Sequence, residues 1–141
     1  MRIFKNIDSL DESVCELSLD EDEQWLRATW VGYIDSQEAY NGAVDFLDSM
    51  NTFHCPYLLN DNSGLRGPWF DSVEWLRTTW APQAARLGLR YIAHVAQPQD
   101  LASQVAVLET ESFGGDVQIQ IFDRVSEAEE WLREQQHKAR L

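Results

Sequence analysis

Apolar residues recur at every second position up to Trp30 and at every third or fourth position soon afterwards, and that change of period constrains the fold more than any other feature. Cys15, Leu17 and Leu19 alternate with polar residues, the acidic run Asp20-Glu21-Asp22-Glu23 interrupts them, and Leu26, Ala28 and Trp30 resume the alternation. Two half-buried strands around a charged turn predict a β-hairpin. Arg2 to Lys5 adds a short edge strand. Asp35 or Ser36 then caps a helix, with Glu38 three positions after Asp35 as in a capping box, and Tyr40, Ala43, Leu47 and Met50 form one apolar stripe that ends near Asn51.

Beyond that helix, short apolar runs and helical stripes take turns. Tyr57-Leu58-Leu59 reads as a strand buried on both faces, entered through Pro56 and left through a loop, Asn60-Asp61-Asn62-Ser63-Gly64, that continues to Phe70. Asp71 or Ser72 caps a second helix with Val73, Leu76 and Trp80 on one face, Pro82 marks a kink or restart, and Gly88 ends it. Tyr91 to Val95 is another buried strand. Leu101, Val105 and Leu108 predict a third helix, Gly114-Gly115 a turn, and Val117, Ile119 and Ile121 a last strand. Ser126 with Glu129 forms an S-x-x-E box for a terminal helix whose Arg133, Lys138 and Arg140 suit the negative end of its dipole. This order predicts a single α/β domain over residues 1–141, with an N-terminal β-hairpin, a mixed, mainly parallel sheet and about four helices.

Charge and composition narrow the function classes. The 24 acids against 11 bases give a formal charge of -13, which repels phosphate backbones and anionic lipid headgroups. No apolar run approaches the roughly 20 residues of a membrane span, and the opening residues lack the apolar core and cleavage site of a signal peptide, so a cytoplasmic address is expected. Cys15 and Cys55 belong to no C-x-x-C pair and read as reduced, buried thiols.

Four stretches carry a resemblance: Trp30-Val31-Gly32-Tyr33, Tyr57 to Asn62, Gly67 to Leu76, and Gly88 to Val95. Together they resemble an uncharacterised bacterial group of STAS-like, or SpoIIAA-like, proteins. The resemblance implies a small, mainly parallel sheet with helices on one side, and a role in docking partner proteins. In the antagonist branch of that family, a serine at the start of the helix after a central strand is phosphorylated, which makes Ser72 the matching phosphosite. Val73-Glu74 follows Ser72 here in place of the branch's Asp-Ser-Ser-Gly run, and Asp71 and Glu74 oppose added negative charge. A helix cap is the simpler role for Ser72.

The remaining candidates cluster after the central strand. Asn60, Asp61 and Asn62 lie at its carboxyl end, where open α/β sheets bind ligands, although Asp61 and Asn62 also suit ordinary turn bonds. Their spacing fails as a calcium loop because Gly64 takes a ligand position and Leu65 the place of the required glycine. His54, His94 and His137 form no metal motif, and no cofactor fingerprint occurs. His94 with Asp61 is the one pair that suits acid–base catalysis, and a strand histidine more often satisfies a local hydrogen bond. Six tryptophans are many for this length, and Trp30, Trp69 and Trp75 suggest an aromatic rim beside the Asn60 loop. That rim suits a docking surface for a partner protein or the roof of a pocket for a small apolar ligand. The expected function is therefore a non-enzymatic interaction or regulatory domain, with a lipid-like ligand carrier as the alternative.

Overall fold

The alternating N-terminal segments pair as their period requires. In the computed structural model, which describes residues 1–7, 12–66, 75–102, 105 and 116–140, the strands β1 (Arg2–Ile7), β2 (Val14–Asp20) and β3 (Trp25–Tyr33) form an antiparallel meander. Cys15 faces Trp30, Leu17 faces Ala28 and Leu19 faces Leu26, so the apolar set lies on one side of the sheet. The acidic turn is tied into the fold. The Asp20 carboxylate accepts the Glu23 N–H at 3.0 Å, and Glu23 receives two bonds from the Arg133 guanidinium at 2.9 and 3.0 Å.

After the hairpin the strands run parallel. Helix α1 (Ser36–Met50) leads to β4 (Tyr57–Arg66), a π-helical turn (Leu76–Trp80) continues into α2 (Ala81–Arg86), and β5 (Tyr91–Val95), β6 (Gln118–Phe122) and α3 (Val125–Arg140) follow. The sheet order is β1-β2-β3-β4-β5-β6, the order of the chain itself, with β3 to β6 parallel. The expected third helix, Leu101 to Leu108, lies largely outside the described residues, as do the Gly114-Gly115 turn and the Asp71 and Ser72 caps. No described helix is long and apolar enough to cross a membrane.

Local chemistry sets the helix ends. Asp35 is the cap of α1: its carboxylate accepts the Glu38 N–H at 2.8 Å, and the Glu38 side chain accepts the Asp35 N–H at 3.4 Å. At the end of α2, Gly88 adopts φ +111°, the Leu89 N–H reaches the Ala84 carbonyl and the Gly88 N–H the Ala85 carbonyl. This is a Schellman ending, which an L side chain at Gly88 would strain. The S-x-x-E box fails at α3. The helix begins at Val125, which puts Ser126 inside its first turn, and the Glu129 carboxylate instead pairs with Arg27 at 2.9 Å.

Handedness explains how the helices are distributed. When parallel strands advance in one direction, right-handed crossovers place every connecting helix on the same face. Accordingly α1, the π-turn and α2 cover one face, where Leu17, Leu26, Leu58 and Ile92 pack against Phe46, Met50, Trp80 and Leu89. A terminal helix has no such constraint. Helix α3 covers the opposite face through Ala128 and Leu132, burying Trp25, Leu59, Ala93 and Val95, so the helices are not confined to the single side that the family resemblance implies. Each fully buried leucine in these layers contributes roughly 1.5–3 kcal/mol relative to exposure.

Candidate functional site

The segment expected to be a loop after Leu59 is strand: β4 runs for 10 residues, to Arg66. Asn60, Asp61 and Asn62 are therefore held between β3 and β5, and alternation sends their side chains to opposite faces. Asn60 and Asn62 point toward α1 and the π-turn, as does His94, the β5 neighbour of Asn60. Asp61 points to the other side. Asp61 and His94 consequently cannot share a substrate proton, which removes the one acid–base pair that the residue types suggested.

Between the sheet and its covering helices lies a cavity of about 130 Å³. Phe4, Leu17, Phe46, Trp80 and Ile92 supply much of its wall, Asn60, Asn62 and His94 a polar edge, and no described lining residue is an acid, lysine or arginine. Trp30, half-buried, lines this chamber. Its indole N–H, which can only donate, reaches Asn60 Oδ1 at 2.9 Å, and that contact fixes which way the amide points. The Asn60 NH₂ is then turned to donate to Nδ1 of His94 at 2.9 Å, which leaves the ring proton on Nε2. At 3% exposure His94 belongs to a directed ladder, Trp30 to Asn60 to His94.

Two departures from regular backbone and one close helix approach meet at this cavity. The first is a bulge between β3 and β4: Thr29 pairs with Asp61 and Val31 with Gly64, so Asn62 and Ser63 together oppose Trp30. The extra residue lets both Asn62 and Leu65 face the cavity, three positions apart instead of two. Asp61 holds the bulge by accepting the Ser63 N–H at 2.9 Å, a side-chain turn bond of the kind expected for it, and Gln97 donates to the carbonyls of Ser63 and Leu65. The second is the π-helical turn, a rare local geometry frequent at functional sites, which brings Leu76 and Trp80 to the wall. The Trp80 indole N–H is secured on the Ala43 carbonyl at 2.9 Å.

The close approach is made at Gly42, in the middle of the regular helix α1. A Cβ there would stand 2.5 Å from Cη2 of Trp30 and 3.1 Å from Cys15 Sγ, so only glycine lets the helix approach the indole this closely. A glycine inside a helical stripe was the available sequence signal for it.

Asn62 is the most telling side chain of the set. It is 5% exposed, and its Oδ1 has no hydrogen-bond partner among the described residues. An unpaired buried acceptor costs about 1–3 kcal/mol, so this oxygen is a stored demand for a donor. Cys15 also lines the cavity, where burial first and the Asp45 charge second push its thiol up to about 12, which makes it a poor nucleophile. Both cysteines are free thiols, as expected.

Of the other expected site residues, Trp69 and Ser72 lie outside the described residues. Trp75 is half-buried, with its ring 4.8 Å from the exposed ring of Tyr40. A second, more polar groove of about 550 Å³ passes Asn6, Glu38 and Asp45. Its acids are already engaged, Asp45 by the Asn6 amide at 3.2 Å and the Glu38 carboxylate by the Asp35 N–H and the Ser13 hydroxyl.

No family model matches the chain, and no curated protein matches it. Among solved structures it is similar to an uncharacterised protein of the DUF3478 family from Shewanella loihica PV-4, which has a SpoIIAA-like fold. The two share 18% identity with a TM-score of 0.55, over 90% of this chain and 98% of the other. At that identity the likeness is one of architecture: the chain has a single-domain, SpoIIAA-like α/β fold with a mixed six-stranded sheet.

Proposed function

We propose that this domain binds a small, mostly apolar molecule between its sheet and helices, and acts as a carrier or sensor and not as an enzyme. The observation that carries the reading is the uncharged cavity with the Trp30–Asn60–His94 ladder along one edge, since ligand pockets are typically apolar chambers with a few fixed polar groups. The opposed orientations of Asp61 and His94 and the suppressed Cys15 thiol support a non-catalytic role. Two free cysteines support a cytoplasmic address.

Thermal unfolding with benzene as the probe tests this. Ligand at about 100 times its Kd adds roughly 2.7 kcal/mol, which raises the Tm by several degrees. Ala39→Leu, which extends the cavity wall inward, should remove that rise. An unchanged Tm at aqueous saturation of benzene would count against the reading.

Docking of a protein partner is the second reading. It is favoured by Tyr40, which is 43% exposed and packs its ring at a tilt against Trp75. Tyr40→Ala should then weaken a partner's binding while leaving unfolding unchanged, whereas intact binding by that variant would exclude this surface.

A further inference from the structure

Resting on the cavity reading above, we infer that the ligand is a neutral molecule of phenol type, an aromatic ring carrying one O–H that it donates to Oδ1 of Asn62. Three observations select this chemistry. The volume comes first: about 130 Å³ is close to the roughly 150 Å³ of an apolar cavity that admits benzene, so the body of the ligand is on the order of one six-membered ring. Aromatic walls come second. Phe4, Trp30, Phe46 and Trp80 offer ring faces and edges, which suit offset or edge-on contacts with another ring.

The polar edge comes third, and it sets the hydrogen-bond pattern. The Trp30 indole N–H is used on Asn60, the Asn60 amide on His94, and the Trp80 indole N–H on the Ala43 carbonyl. Asn62 Oδ1, buried and without a partner among the described residues, asks for a donor. A water molecule is a poor answer, because a buried water needs two to four polar partners and the Trp30 N–H, the Asn60 amide and His94 Nδ1 on the same edge are already bonded to one another. A carboxylate or phosphate is a poor answer too, because no lysine or arginine lines the described wall and the chain carries a charge of -13. A neutral hydroxyl on a ring satisfies the oxygen without burying charge.

Isothermal titration of the whole chain with phenol and with toluene, which has the same shape without the donor, tests the inference. Water holds phenol more strongly than toluene, so a purely apolar cavity would favour toluene. The expected result is that phenol binds at least as tightly as toluene. Asn62→Leu should then weaken phenol at least tenfold and leave toluene within about threefold, a tenfold change corresponding to ~1.4 kcal/mol. Toluene bound well with phenol absent or clearly weaker would overturn the hydroxyl assignment and leave the cavity reading standing. Equal loss of both probes in a folded Asn62→Leu protein would also overturn the assignment. Failure of both probes on the unaltered protein would overturn the cavity reading and the inference with it. The comparison on the unaltered chain decides the matter even where Asn62→Leu does not fold.

Discussion

Gly42→Ala is the sharpest probe of how α1, Trp30 and the cavity depend on one another. In an ordinary helix interior this substitution is favourable by about 1 kcal/mol, because glycine loses the most backbone freedom on folding. Here the new Cβ would stand 2.5 Å from Trp30 Cη2, about 1 Å inside normal contact distance, with Cys15 Sγ blocking at 3.1 Å. Helix or indole must move. Overpacking of this kind costs roughly 1–3 kcal/mol, and a displaced indole also gives up its 2.9 Å bond to Asn60, worth about 1 kcal/mol. Set against the propensity gain, the net loss is about 1–3 kcal/mol, or roughly 3–10 °C in Tm for a chain of this size. Because the indole's open side is the cavity, the moved ring intrudes on it and benzene binding falls as well. Urea unfolding with a parallel benzene titration measures both effects. A variant more stable by about 1 kcal/mol, with unchanged benzene affinity, would refute the close-contact reasoning.

Other expected outcomes follow from single contacts. Asp61→Ala frees the Ser63 N–H and loosens the bulge, which should cost about 0.5–1.5 kcal/mol in unfolding experiments and weaken binding in the cavity. Asp35→Ala removes the acceptor for the Glu38 N–H and should cost about 0.5–2 kcal/mol in urea unfolding, with Asp35→Asn largely restoring it. Stability should fall as pH rises above about 9 toward 12. Burial, then the Asp45 charge, raises the folded Cys15 pKa to about 12, so the unfolded chain loses its thiol proton first. The contribution is intact below the unfolded pKa and is lost as pH rises through the folded one. Cys15→Ala should therefore give a shallower alkaline slope, and Cys55 and Tyr57, whose pKa values are also raised chiefly by burial, act in the same direction.

Elements whose local chemistry and tertiary role agree were legible in the sequence. The hairpin follows from strict alternation, the start of α1 from Asp35 and Glu38, and the end of α2 from Gly88, because each is settled within a few residues. The SpoIIAA-like architecture was legible by another route, through the family resemblance carried by Trp30-Val31-Gly32-Tyr33 and the three later stretches. What misled was composition at Asn60-Asp61-Asn62-Ser63-Gly64, where five turn-favouring residues read as loop. With β3 and β5 on either side, the backbone of β4 finds partners on both edges, and that pairing outweighs intrinsic preference. The alternation Leu58, Asn60, Asn62 was the available signal, and it continued the apolar face directly into the cavity. Trp30 shows the same gap between composition and context: its alternation with Leu26 and Ala28 put it on the core face, but nothing local revealed the Asn60 amide that receives its N–H. Ser126 and Glu129 matched a capping box, yet Arg27, 102 residues earlier in the chain, claims the carboxylate.

Methyl NMR during a benzene titration tests the central claim most directly, because the two faces of the sheet serve as internal controls. A ring entering the cavity should shift the methyl signals of Leu17, Leu58, Ile92 and Ile119, which line it, and leave those of Leu59 and Val95, under α3, and of Leu132, on α3, in place. Shifts centred on the α3 face, or none on either face at saturation, would contradict a ligand chamber between the sheet and its crossover helices.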